Sequence, residues 1–201
     1  MASSQSYKVV LVGESGTGKT SLVKRCVERQ FSTDVLPTVG LEFQWKKVLT
    51  GNDWIKLKFW DLSGEDRFRS LMPAYLQDAS AAIVVYDVSS RRSWFAARDW
   101  ASLVHNELGR EAFVAMVGNK ADLEGREVPA DEARGESEAL GAMFVETSAK
   151  TGENVDALFQ ELATQLPKWS RSARLAKPVP AVEEPRPTNA PRKRCCLFPQ
   201  F

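Results

Sequence analysis

The chain has 201 residues, 43% of them hydrophobic and 26% charged, an ordinary globular composition that excludes disorder throughout and predicts one domain with a tail. No apolar run approaches the roughly 18–20 residues of a membrane-spanning helix, and the short run Val9–Val12 behind a polar start is no secretory signal. The net charge of +1 hides an asymmetry: eight Lys/Arg and two acids lie from Lys168 onward, which leaves an acidic body and a basic tail suited to an anionic surface.

In chain order, Tyr7–Gly13 is a near-continuous apolar run, as in a strand buried on both faces. A Gly-rich turn follows, then a helical pattern over Lys19–Arg29. Leu41–Thr50 and Trp54–Trp60 are rich in β-branched and aromatic residues, with Gly51-Asn52 between them, which predicts a hairpin. Helical patterning covers Arg67–Gln77, Ser93–Glu107, Pro129–Leu140 (with Pro129 in the first turn) and Val155–Leu166. Ala81–Asp87 and Ala112–Gly118 read as further buried strands and Met143–Glu146 as a short last one. The alternation predicts an α/β fold: a six-stranded, mostly parallel sheet with one antiparallel edge strand and helices on both faces. The pattern stops at Pro167, and five prolines fall within residues 178–191. The expected division is therefore a domain over 1–167 and a disordered, Pro-rich basic tail over 168–201. Six tryptophans are expected mostly in core or hairpin packing, and His105, the single histidine, has no assigned role. Cys26, Cys195 and Cys196 suggest neither a disulfide framework nor a zinc site and fit a reducing, cytosolic setting.

Gly13-Glu-Ser-Gly-Thr-Gly-Lys-Thr20 fits G-x-x-x-x-G-K-[ST] between a predicted strand and a predicted helix, the context this phosphate-binding loop requires. Ser15, Gly16, Thr17 and Gly18, with Lys19, Thr20 and Ser21 at the helix start, are the candidate phosphate residues. Their N–H groups and the helix N-terminus favour anions. Lys19 would bridge the outer phosphates and the Thr20 hydroxyl would ligate Mg²⁺. Asp61-Leu-Ser-Gly64 ends a predicted strand: its carboxylate can hold Mg²⁺ through water, and the Gly64 N–H can meet a terminal phosphate. Thr38 can add a second hydroxyl to the metal and its N–H to the γ-phosphate. Lys19 and Thr38, with Glu65, are the candidate catalytic residues.

Asn119-Lys120-Ala-Asp122 lies behind the fifth strand, at the sheet edge where such folds bind ligands. The Asp122 carboxylate can accept from the ring N–H and the exocyclic amine of guanine, two donors adenine does not present there. Discrimination of several kcal/mol follows from leaving a buried acceptor unpaired. The Lys120 stem can cover the base plane, and Thr147-Ser148-Ala149-Lys150 can present the Ala149 N–H to the guanine oxygen.

Taken together these motifs resemble the Ras-superfamily small GTPases over residues 6–167, and among them the Rab family, with a weaker lean toward its early-endosomal branch. The resemblance implies a P-loop NTPase three-layer sandwich that binds GTP or GDP with Mg²⁺ and hydrolyses GTP as a switch in vesicle trafficking. It implies that Phe31 packs on guanine and that the switch loops are about Ser32–Gly40 and Leu62–Gln77. Exchange factors, activating proteins and effectors would act on those loops, with a prenyl-chaperone machinery acting on the tail. Phe43, Trp60 and Tyr75 match the aromatic triad that effectors read in that family; the alternative is that all three are core aromatics. Nucleic-acid binding is not expected, because the basic residues sit on a Pro-rich tail without interleaved aromatics.

Two departures stand out. Glu65 occupies the place where the family usually has Gln, and an ionised carboxylate has no donor for the transferred phosphoryl. Beside an anionic γ-phosphate at about 4 Å and an effective dielectric near 20, one charge pair amounts to roughly 4 kcal/mol, so the sign favours slow hydrolysis. The alternatives are that Glu65 acts as a base with normal turnover, or that the protein is a GTP-bound scaffold with negligible hydrolysis. Cys195-Cys196, the candidate lipidation sites, are followed by five residues instead of ending the chain. Double prenylation, palmitoylation and no lipid all stay open, with Arg192-Lys-Arg194 as a membrane-proximal basic cluster on the cytoplasmic face of a vesicle.

Overall fold

Runs of β-branched and small apolar residues make the sheet centre. Val9–Val12 and Ala81–Tyr86 are buried throughout, which only a strand covered on both faces achieves. The structure, a computed structural model, describes residues 5–109 and 112–176. Its strands are β1 (Gln5–Val12), β2 (Leu41–Thr50), β3 (Asp53–Leu62), β4 (Ala81–Asp87), β5 (Phe113–Asn119) and β6 (Met143–Glu146). Its helices are α1 (Lys19–Glu28), α2 (Met72–Leu76), α3 (Arg91–Leu108), α4 (Ala130–Ala139) and α5 (Val155–Ala176), with a 3₁₀ turn at Asp66–Leu71.

The sheet order is β2-β3-β1-β4-β5-β6. Every neighbouring pair is parallel except β2–β3, the hairpin closed at Gly51-Asn52. The expected six-stranded α/β sheet with one antiparallel edge is what the chain adopts. One face is filled by Val9, Leu11, Leu57 and Phe59 against Leu22 of α1 and Phe159 and Leu162 of α5. Phe59 and Phe159 meet edge-on at 5.1 Å, a favoured aromatic geometry. The other face packs Val10, Val84 and Met116 against Met72 and Leu76 of α2 and Trp94 and Trp100 of α3.

Two helices differ from expectation. The pattern over Arg67–Gln77 is not one helix but the 3₁₀ turn followed by α2. Pro73 has no N–H to give a carbonyl one turn earlier, so a helix must restart there, with Pro in its first turn. Conversely, α5 does not stop at Leu166; it passes through Pro167 and runs to Ala176. Beyond the missing backbone bond Trp169, still 37% exposed, meets Phe113 edge-on at 5.5 Å and ties the added turns to the sheet. Pro129 stands just before α4 as its cap residue, extended rather than helical. Of the tryptophans, Trp94 and Trp100 are core, whereas Trp45 and Trp54 lie half-exposed on the hairpin.

Candidate functional site

Because the central strands are parallel, the loops behind β1, β3, β5 and β6 gather at one edge of the sheet. They line a cavity of about 410 Å³. Its walls include Ser15, Gly16, Gly18, Lys19, Thr20 and Ser21 from the loop after β1. Thr38 and Gly64 come from the two candidate switches, Phe31 from just before the first, and Asn119, Lys120, Asp122, Ala149 and Lys150 from the far end. Fourteen of the sixteen residues expected to hold nucleotide therefore share one cavity. Thr17 and Ser148 do not line it: both are buried, and their hydroxyls donate to the Glu14 carbonyl at 3.0 Å and to Asp122 Oδ1 at 2.6 Å. They brace the loops that do.

The phosphate loop is held by its own lysine. Lys19 Nζ donates to the carbonyls of Gly13 at 2.9 Å and Glu14 at 2.8 Å, while burial lowers its pKa to about 8 against the pull of Asp61 and Glu14. Gly18 sits at φ +95°, and a Cβ there would run into the Asn119 side-chain amide. Gly64 lies so close to the Glu14–Ser15 peptide that a methyl group has no room. The chain leaving β3 is thereby pressed against the phosphate loop.

The candidate metal ligands converge. Thr20 Oγ1 donates to Asp61 Oδ2 at 2.6 Å and lies 2.9 Å from Thr38 Oγ1. Asp61 Oδ1 is buried without a hydrogen-bond partner among the described residues. Burial raises the Asp61 pKa to about 6, against the Thr20 hydrogen bond and Lys19. Two hydroxyls and an orphaned carboxylate oxygen are hard donors of the kind Mg²⁺ takes, and they fit it.

At the other end Asn119, 1% exposed, ties three loops together. Its Nδ2 donates to the Thr17 carbonyl at 2.8 Å; its Oδ1 accepts from the Ala149 N–H at 3.1 Å and from Thr147 Oγ1 at 3.3 Å. The Ala149 amide assigned to the base by its sequence position is thus engaged by Asn119, and a base oxygen would have to share it. Asp122 accepts from Ser148 and has Lys150 Nζ at 3.8 Å, so its carboxylate is oriented from two sides. Lys120, at φ +64°, forms an ion pair with Asp87 at 2.7 Å that lays its stem along the cavity wall.

Sequence reasoning missed Arg25. From α1 it donates to the carbonyls of Ala149, at 2.8 Å, and Lys150, fixing the loop after β6. Glu65 is not in the cavity wall; it stands beside Gly64 at the start of the 3₁₀ turn, its N–H 3.4 Å from Ser63 Oγ. Phe43 and Trp60 pair across β2–β3 at 6.2 Å, edge to face. Trp60 and Tyr75 are partly buried against the same core, so the aromatic triad is half core and half surface.

A phosphate loop between β1 and α1, hard oxygen donors beneath it and a carboxylate at the opposite end define a P-loop nucleotide-binding protein. The Ras family model matches residues 8–168. Along 197 residues the chain is 36% identical to Ras-related protein Rab-31 of Homo sapiens, spanning 98% of this chain and 100% of that protein. The chain belongs to the Ras superfamily of small GTPases, in its Rab family. Among the described residues no helix is long and apolar enough to cross a membrane.

Proposed function

We propose that the protein is a GTP/GDP switch of vesicle traffic whose GTP form persists because Glu65 slows hydrolysis. The reading is carried by one arrangement, the cavity that joins the phosphate loop to Asp122. Bound Mg²⁺ would neutralise phosphate charge, and Thr20, Thr38 and Asp61 are the residues placed to hold it. Lys19 and the loop amides take the outer phosphates; a phosphate oxygen would replace the Gly13 and Glu14 carbonyls as partners of Nζ. Asp122 reads the two guanine donors, and Phe31 and the Lys120 stem flank the base. Thr38 and Gly64 carry the state of the nucleotide into the two switch loops, which exchange factors, activating proteins and effectors then read. Phe43, Trp60 and Tyr75 form the effector contact on this reading.

The Glu65 side chain brings a negative charge next to Gly64 and has no donor to meet the transferred phosphoryl. In single-turnover assays, Glu65→Gln is expected to hydrolyse GTP about tenfold faster than the wild type, which corresponds to ~1.4 kcal/mol of barrier. A variant that is equal or slower overturns the slow-switch reading. Wild-type turnover indistinguishable from the uncatalysed rate favours the scaffold alternative, for which Glu65 is also the motive.

Cys195 and Cys196 lie outside the described residues. We propose that both carry prenyl groups, delivered by a prenyl-chaperone machinery, and hold the protein on the cytoplasmic face of intracellular membranes. Two chains give the stable anchoring that one does not. The intact mass of protein from a eukaryotic host is expected to show two prenyl additions.

A further inference from the structure

The last two residues of β5, Gly118 and Asn119, face opposite sides of the sheet, as strand alternation requires. Toward the phosphate loop there is no slack. Asn119 Nδ2 donates to the Thr17 carbonyl at 2.8 Å, and a Cβ on Gly18 would lie only 2.2 Å from that nitrogen. On the other side of the sheet stands Tyr86, directly across from Gly118 in the β4–β5 register. A Cβ on Gly118 would lie 2.6 Å from the Tyr86 hydroxyl oxygen and 2.9 Å from Cζ. The phenol tip therefore fills the space that a side chain at 118 would take. The end of β5 is gripped between the phosphate loop on one face and a tyrosine on the other.

Tyr86 is a firm support. It is fully buried, and its ring lies 4.8 Å from the Trp94 ring of α3. Its hydroxyl has no hydrogen-bond partner among the described residues. Burial above all, with the Glu146 charge adding to it, raises the phenol pKa and keeps the group neutral. As a hydrogen-bonding group the hydroxyl costs stability, and a phenyl ring would fill the core at less cost. What the oxygen does there is steric. The margin it protects is narrow, because Asn119 Oδ1 accepts from the Ala149 N–H at 3.1 Å and from Thr147 Oγ1 at 3.3 Å, close to the long limit of such bonds. In a densely packed interior, a shift of the strand end by roughly 0.3 Å away from these loops carries both past that limit.

We propose that Tyr86, which does not line the cavity, is a positioning residue for the nucleotide site: its hydroxyl oxygen is the backstop that seats Asn119 and so sets how long guanine nucleotide is retained. The inference rests on the guanine-nucleotide reading of the cavity. Three successive residues at the end of β4 each hold one residue where the base loop begins. Tyr86 abuts Gly118, the Val88 N–H donates to the Asn119 carbonyl at 3.0 Å, and Asp87 pairs with Lys120 at 2.7 Å. Of the three, only the Tyr86 contact pushes; the other two pull. Removing the push leaves Asn119 free to settle toward α3, away from Thr17, Thr147 and Ala149.

The test loads the full chain with fluorescent GDP and Mg²⁺ and follows its release into excess unlabelled GDP. Tyr86→Phe, which deletes one atom, should release it about tenfold faster, while the urea midpoint of the nucleotide-free protein stays equal to the wild type or rises. Opposite signs in the two readouts separate positioning from damage to the core. Gly118→Ala should also speed release, because its methyl meets the phenol. Combined with Tyr86→Phe, the methyl takes up room that the oxygen has vacated, so the double variant should release GDP more slowly than Gly118→Ala alone. The Asn119 side-chain amide signals in ¹⁵N NMR should move in Tyr86→Phe. The inference is overturned if Tyr86→Phe retains GDP as long as the wild type, if its urea midpoint falls together with its retention, or if the effects of the two substitutions simply multiply. A wild type that retains no GDP overturns the guanine-nucleotide reading along with it; a wild type and a Tyr86→Phe variant that retain GDP equally overturn this inference alone.

Discussion

The two ends of the nucleotide cavity are built on opposite principles. At the base end each polar side chain already has protein partners: Asn119 makes three hydrogen bonds, Asp122 is held by Ser148 and Lys150, and Arg25 clamps the loop behind β6. At the phosphate end a buried lysine and a buried aspartate stay charged at a cost, and Asp61 Oδ1 has no partner among the described residues. The base end is finished by folding; the phosphate end is finished by ligand. On the proposed reading, selectivity would rest on a preformed frame, while bound ligand would supply the partners that the end beside the switch loops lacks.

Removing the frame should do the most damage. Asn119→Ala strands the Thr17 carbonyl, the Ala149 N–H and the Thr147 hydroxyl together, and is expected to cost ~2–4 kcal/mol in urea unfolding of the nucleotide-free protein. It should also lower GDP affinity by a hundredfold or more.

The contrast predicts a gain at the other end. Burial raises the folded-state pKa of Asp61 above its unfolded value near 3.8, to about 6. Between those values the native state binds more protons, so stability from this group is present at low pH and is lost as pH rises through about 6. Asp61→Asn should then match the wild type near pH 4 and exceed it by up to ~3 kcal/mol at pH 7 in nucleotide-free, Mg²⁺-free protein. The same variant should bind Mg²⁺-GDP more weakly. A wild type at least as stable as the variant at pH 7 would remove the contrast between the two ends.

Smaller effects sharpen the comparison. Arg25→Ala releases two carbonyls of the loop behind β6 and should cost ~1–2 kcal/mol while speeding GDP dissociation severalfold, read by fluorescent-nucleotide release. Least affected should be Arg92→Ala. Arg92 pairs with Glu14 at 3.1 Å, but its side chain is 85% exposed, and exposed pairs contribute little, so the denaturation midpoint should shift by less than the equivalent of ~0.5 kcal/mol.

Local signals were legible and long-range ones were not. The strands, the phosphate loop and Asp122 follow from apolar runs and short spacings, and the structure puts fourteen of sixteen expected nucleotide residues around one cavity. Thr17 and Ser148 lay inside motifs, yet their hydroxyls face the protein, a direction that spacing does not encode. Arg25 reaches a loop 124 positions away, and nothing near it in the chain announces that contact. Pro167 misled in the ordinary way: a helix breaker by propensity, overruled where Trp169 finds Phe113. The hairpin tryptophans followed the expected pairing but kept half their surface in water.

That overruled proline decides where the last helix ends. Phe113 opens β5, at the pole of the sheet away from the cavity, and α5 continues seven residues past the Trp169 that meets it, about 10 Å of rod. The described chain therefore runs out on the far side of the body, with the whole depth of the sheet between its last turn and the cavity.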